Sequence, residues 1–111
     1  MPPSPWMRYR PEFKVPKQIV ALVDSRILRD STTEDSTPNF STRFPDGSEL
    51  VLWVDHPERD KRWFSERRYS LMLREPRDPQ TTLLDTDDLH ELMGALRQAF
   101  DAKGGPRPLS G

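Results

Sequence analysis

Apolar positions in this chain fall into a few short segments separated by polar stretches, and their period changes once, toward the C-terminus. Phe40, Thr42 and Phe44 alternate with Ser41 and Arg43, the two-residue period of a half-buried strand. Pro45-Asp46-Gly47 supplies turn chemistry, since proline presets φ and glycine accepts a positive one. A second strand follows from Glu49 to Val54, with Leu50, Leu52 and Val54 on one face and Val51 and Trp53 on the other. The pair reads as a β-hairpin whose second strand is apolar on both sides, which places it centrally in a sheet or beneath a partner. Arg68 to Glu75 repeats the alternation, with Tyr69, Leu71 and Leu73 opposed to Ser70, Met72 and Arg74. A proline-rich turn over 75–79 leads to a short last strand, Thr81 to Leu84.

Upstream, Ile19 to Val23 is a continuous apolar run bounded by Pro16 and Asp24. Its length and β-branched content predict a strand buried on both faces, which Ile27 and Leu28 extend after a kink at Asp24-Ser25. Asp30 to Pro38 contains no apolar residue and predicts a loop. Asp55 to Arg67 is a long charged connection that carries Trp63-Phe64 in its middle.

Beyond Thr86 the period becomes helical. Leu89, Leu92, Met93, Leu96 and Phe100 recur on one face of a helix from about Asp87 to Ala102. Thr86 or Asp85 is the expected N-cap. Asp87, Asp88 and Glu91 suit the positive end of the helix dipole, and Lys103-Gly104-Gly105-Pro106 stops the helix. Several strands followed by one helix predict an α+β fold: an antiparallel sheet of about four to five strands with one C-terminal amphipathic helix packed on one face. The expected organisation is a proline-rich extended arm over 1–16, a single domain over 17–103 and a flexible tail over 104–111.

Composition narrows the function classes. Of 111 residues, 33% are hydrophobic and 32% charged, so the core is thin and confined to the segments above. The net charge of −1 gives no global attraction to nucleic acid or to an anionic membrane. No apolar run approaches the ~18 residues of a membrane span, and the N-terminal stretch lacks the apolar core of a secretory signal. A cytoplasmic location is the expectation, under which the sequon Asn39-Phe40-Ser41 is fortuitous. Arginine outnumbers lysine, which is compatible with a high-GC bacterial or phage genome.

No arrangement of residues predicts catalysis or a cofactor. Without cysteine there is no disulfide, thiolate metal site or cysteine nucleophile. Asp87 and Glu91, beside His90, share a helical edge that a divalent cation could use, but acidic residues at a helix start are ordinary dipole complements. His56 follows Asp55, an arrangement that can orient an imidazole for base catalysis, yet no glycine-framed serine accompanies it. The glycines form a turn and a helix stop, so no phosphate cradle is expected.

Two binding readings remain. One short helix covers only one face of a sheet, which leaves Trp53, Val51 and Met72 to be shielded by something else. The arm aromatics Trp6, Tyr9 and Phe13 and the loop pair Trp63 and Phe64 are the candidates, within the chain or across a twofold axis. The expected function is a small non-enzymatic accessory or regulatory protein that binds another protein, including itself as a homodimer. The alternative is nucleic-acid binding, with Arg8, Arg10 and Lys14 of the arm and Arg59, Lys61, Arg62, Arg67 and Arg68 of the loop holding phosphates while aromatics stack on bases.

Overall fold

A computed structural model describes residues 13–30, 38–62, 67–77 and 79–104. Among these residues, two helices and five strands occur in the order α1 (Lys17–Asp24), β1 (Arg29–Asp30), β2 (Asn39–Arg43), β3 (Glu49–Val54), β4 (Tyr69–Arg74), β5 (Thr81–Thr86) and α2 (Leu89–Ala102), with a 3-10 turn at Arg59–Lys61. The strands form one antiparallel sheet in the spatial order β1-β2-β3-β4-β5, so each pairs with its sequence neighbour. The fold is α+β, with the C-terminal helix packed against the sheet.

The expected hairpin β2–β3 forms, with Phe40 opposite Leu52 and Thr42 opposite Leu50. Asp46 closes its turn by accepting from the Ser48 amide at 2.9 Å, and the Gly47 amide donates to the Phe44 carbonyl at 3.0 Å. Gly47 has φ +90°, where a side chain is strained, and a Cβ there would meet Pro76 Cγ at 3.3 Å.

One face of the sheet carries the core. Phe40, Phe44, Leu50, Leu52, Val54, Tyr69 and Leu71 cluster with Leu92 and Leu96 of α2. Complete burial of Leu92 or Leu96 contributes roughly 1.5–3 kcal/mol, and Phe100 adds an edge-to-face contact with Phe44 at 6.1 Å. The helical stripe is as the period predicts, but the cap lies two residues beyond Thr86. Asp88 is the N-cap and accepts from the amides of His90 at 2.8 Å and Glu91 at 3.4 Å. Thr86 instead accepts from the Asp88 amide at 3.0 Å, because β5 runs on through Thr86 and holds its backbone in the sheet.

The run Ile19 to Val23 is a helix, not the expected strand. Ile19, Leu22 and Val23 stand at i, i+3 and i+4, so a short apolar run satisfies both periods and length alone does not separate them. Here Pro16 sits at the N-cap, a place where its missing N–H costs nothing. Only Ile19 is fully buried, and it joins the same core cluster as α2. The helix ends where Arg26 adopts φ +63°, its amide donating to Val23 and the Ile27 amide to Leu22. Those paired bonds are a Schellman stop made without glycine. Beyond it, Leu28 is buried in the core and Arg29–Asp30 makes a two-residue edge strand against β2.

Phe13 and Val15, at the end of the proline-rich stretch, also belong to this core, with Phe13 3% exposed. No helix of the described residues is long and apolar enough to cross a membrane.

Candidate functional site

Two regions carry residues singled out by the sequence, the far face of the sheet and the charged connection between β3 and β4, and the structure adds a third, the outer edge of β5. Trp6, Arg8, Tyr9 and Arg10 of the arm, and Trp63 and Phe64 of the connection, lie outside the described residues.

On the far face, register sets Trp53 between Asn39 and Ser70, and Val51 between Ser41 and Met72. Large side chains thus alternate with small ones across neighbouring strands. The bare apolar area expected on this face is corrected by the burial: Val51 is 8% and Met72 9% exposed, and Trp53 is half-buried. Gln80 helps enclose Met72, its amide nitrogen lying 2.9 Å from the sulfur. Small polar partners complete the layer, with Asn39, Ser41 and Ser70 all buried and the Ser70 hydroxyl donating to Asp85. Asn39 is 4% exposed, so the sequon it begins is closed to modification in the folded chain.

The charged connection is organised around Asp87. This carboxylate, set between β5 and the N-cap of α2, accepts from Arg62 Nη1 at 2.9 Å, Arg67 Nη1 at 3.1 Å and the Arg68 amide at 2.8 Å. The Arg68 amide, then Arg67 and Arg62, hold the Asp87 carboxyl below its ordinary acidity range. Arg62 also donates to the carbonyls of His56 at 2.8 Å and Pro57 at 3.1 Å, and its side chain is 8% exposed. Arg68 reaches the other way. It donates to the Phe13 carbonyl at 3.0 Å and the Lys14 carbonyl at 2.8 Å, and its guanidinium lies 5.2 Å from the centre of the Tyr69 ring. Burial raises the Tyr69 phenol above its ordinary value, with Arg68 opposing. Lys61 pairs with Glu58 at 2.7 Å, three residues earlier.

Arg62, Arg67 and Arg68, three of the basic residues expected from sequence to hold phosphates, are thus engaged with the chain's own carbonyls or with Asp87. Sequence spacing gave no sign of this node, because Arg62 and Asp87 stand 25 residues apart. Asp87 is a structural ion-pair partner as well as a dipole complement, and its oxygens are committed to guanidinium and amide donors. Among the described residues, no group of three or more His, Asp or Glu is placed to hold a metal ion.

The Asp55–His56 pairing takes a different form from the expected one. Asp55 is 1% exposed, and its Oδ1 accepts from the His56 backbone amide at 2.8 Å. The imidazole Nδ1 accepts from the Glu58 amide at 2.9 Å, and the ring meets Phe13 edge-on at 5.8 Å. These contacts build the turn after β3. His90 lies on the exposed first turn of α2.

The third region follows from strand order. β5 pairs with β4 on one side and, among the described residues, is the last strand of the sheet. Thr81, Thr82, Leu83 and Asp85 are exposed. The register against β4 slips at Leu71/Met72: Leu84 faces Leu71 and Thr82 faces Met72, which leaves Leu83 as the extra residue of a bulge. Leu83 is 43% exposed, the one large hydrophobic residue of the described set that faces water to this degree. The sequence predicted a strand here, but not that it would form an edge or that a bulge would turn Leu83 out. In a comparison with known proteins, the sequence matches no family model, no curated protein and no solved structure.

Proposed function

We propose that this chain is a small, non-enzymatic accessory or regulatory protein that acts through protein–protein contacts and forms a homodimer. The observation that carries the reading is the place of β5 as the last strand of the sheet among the described residues, with Leu83 43% exposed on it. An edge strand offers N–H and C=O groups to any extended segment, and proteins that must stay apart blunt such edges with lysine, proline, a bulge or a covering element, of which β5 carries the bulge at Leu83. β5 reads Thr-Thr-Leu-Leu-Asp-Thr, with no lysine and no proline. Its exposed residues are apolar or hydroxylic apart from Asp85, a surface suited to association rather than to solvation.

Two further observations support a binding role over catalysis or nucleic-acid recognition. The His56 imidazole is engaged by the Glu58 amide and by Phe13. The guanidinium groups of Arg62 and Arg68 are turned toward carbonyls of their own chain. The test is light scattering on the purified protein over a concentration series, at low and moderate salt. A mass that rises to twice that of the 13.0 kDa chain and is little affected by salt is the expected result. A monomer at every concentration removes the homodimer. A nucleic-acid complex that weakens steeply with salt favours the alternative reading instead.

A further inference from the structure

We propose that the far face of the sheet is a docking surface for a proline–aromatic segment, and that its occupant is the chain's own N-terminal stretch, residues 1–12, laid over Trp53, Val51 and Met72.

The first support is a burial that the described elements leave unexplained. Asn39, Ser41, Val51, Ser70 and Met72 are each no more than 9% exposed, and register sets them on the face turned away from the core. The core cluster takes in Phe13, Ile19 of α1 and Leu92 and Leu96 of α2, and includes neither Val51 nor Met72. Both helices are thus engaged on the opposite face. Neighbours within one sheet shield the flanks of a side chain, and burial of its outer end needs a second layer. Gln80 supplies part of that layer over Met72.

The second support is where residues 1–12 join the described structure. The Phe13 carbonyl accepts from Arg68 beside the start of β4, and the Phe13 ring meets His56 just after β3. Val54 faces Tyr69 at that end of the sheet, and Trp53 facing Ser70 is the next pair inward. An extended proline-rich segment rises about 3.1 Å per residue, which gives Tyr9 a reach of roughly 12 Å from Phe13 and Trp6 roughly 22 Å. Val51 lies two residues beyond Trp53, roughly 7 Å along the strand. Both aromatics can therefore reach the face.

The third support is chemical. Pro2, Pro3, Pro5 and Pro11 cannot donate to a strand edge, and such segments dock instead by laying rings and side chains on aromatic surfaces. Trp53, half-buried between Asn39 and Ser70, offers such a surface, with Met72 alongside. Residues 31–37 contain no apolar side chain, and residues 105–111 follow α2 on the opposite face.

Acrylamide quenching of Trp53 fluorescence tests the proposal. Trp6→Phe with Trp63→Phe leaves Trp53 as the single tryptophan and keeps the N-terminal stretch aromatic. Against that reference, the variant Trp6→Ser, Tyr9→Ser, Trp63→Phe is expected to raise the quenching constant roughly twofold or more, with an unchanged circular-dichroism spectrum. Unchanged quenching overturns the proposal, and a rise in Trp6→Phe, Trp63→Ser, Phe64→Ser would then name residues 63–66 as the cover. Shielding that is lost on dilution assigns the cover to a second copy and also overturns it. Shielding that persists in a monomer supports it, whether or not the homodimer stands. Trypsin supplies a check without variants: cleavage at Arg8–Tyr9 in the native protein is expected to run roughly tenfold or more slower than in a synthetic peptide of residues 1–14. Equal rates overturn the docking.

Discussion

Arg62 and Asp87 form a 2.9 Å ion pair in which the guanidinium is nearly buried, 8% exposed, and the carboxylate is half in water, 47% exposed. The asymmetry defines the roles. Arg62 bridges the His56 and Pro57 carbonyls and the start of α2, so it ties the turn after β3 to the helix that seals the core. Asp87 neutralises it and also anchors the Arg68 amide at the entry to β4. One carboxylate thereby joins the connection, β4 and α2 at the same end of the sheet.

Replacing Asp87 by Asn should therefore cost more than an ordinary surface substitution. It removes a charge from beside a guanidinium with little access to water and weakens three hydrogen bonds. Water screens the half-exposed carboxylate, which keeps the expected loss at about 1–2 kcal/mol. Urea denaturation of the two proteins measures it. A loss below about 0.3 kcal/mol would mean that Arg62 is held by its carbonyl contacts alone.

Acid should destabilise the fold with a definite sign. The Asp87 carboxyl is lowered by the Arg68 amide, Arg67 and Arg62, and Glu58 is lowered by Lys61. Asp46 is held well below the usual carboxylate range by Lys103 at 2.8 Å, with Ser48 assisting. Each group has a folded value below its unfolded one, so each contributes stability that is fully present above about pH 4–5. That contribution is lost as pH falls through the folded values. Denaturation midpoints should be nearly flat from pH 7 to about pH 5 and then decline toward pH 2, less steeply in Asp87→Asn. A midpoint that rises on acidification would contradict this assignment.

Arg26→Gly should stabilise the protein. Arg26 is exposed and holds φ +63° at the end of α1, a conformation costly for a residue with a Cβ and natural for glycine. Relief of that strain outweighs the extra chain entropy of glycine in the unfolded state, for an expected gain of about 0.5–1 kcal/mol. Thermal melts should show a higher midpoint. A lower one would mean that the arginine side chain makes a contact worth more than the strain.

Local pattern alone specified the β2–β3 hairpin, the strands on either side of the 75–79 turn, the apolar stripe of α2 and the glycine stop after it. These elements are legible because their signals lie within a few residues: a period of two, a turn residue that accepts positive φ, or a period of 3.6 ended by glycine. Ile19 to Val23 was not legible in this way, since five apolar residues fit a strand and a helix equally well, and the choice fell to Ile19 finding the core from α1. Strand order, the bulge that turns Leu83 outward, the closing of the far face over Val51 and Met72, and the commitment of Arg62, Arg67 and Arg68 to Asp87 were decided by the tertiary structure. Each depends on which residues distant in the chain become neighbours. A burial or an ion pair is an energy between two groups, and no pattern along one segment contains the position of the other.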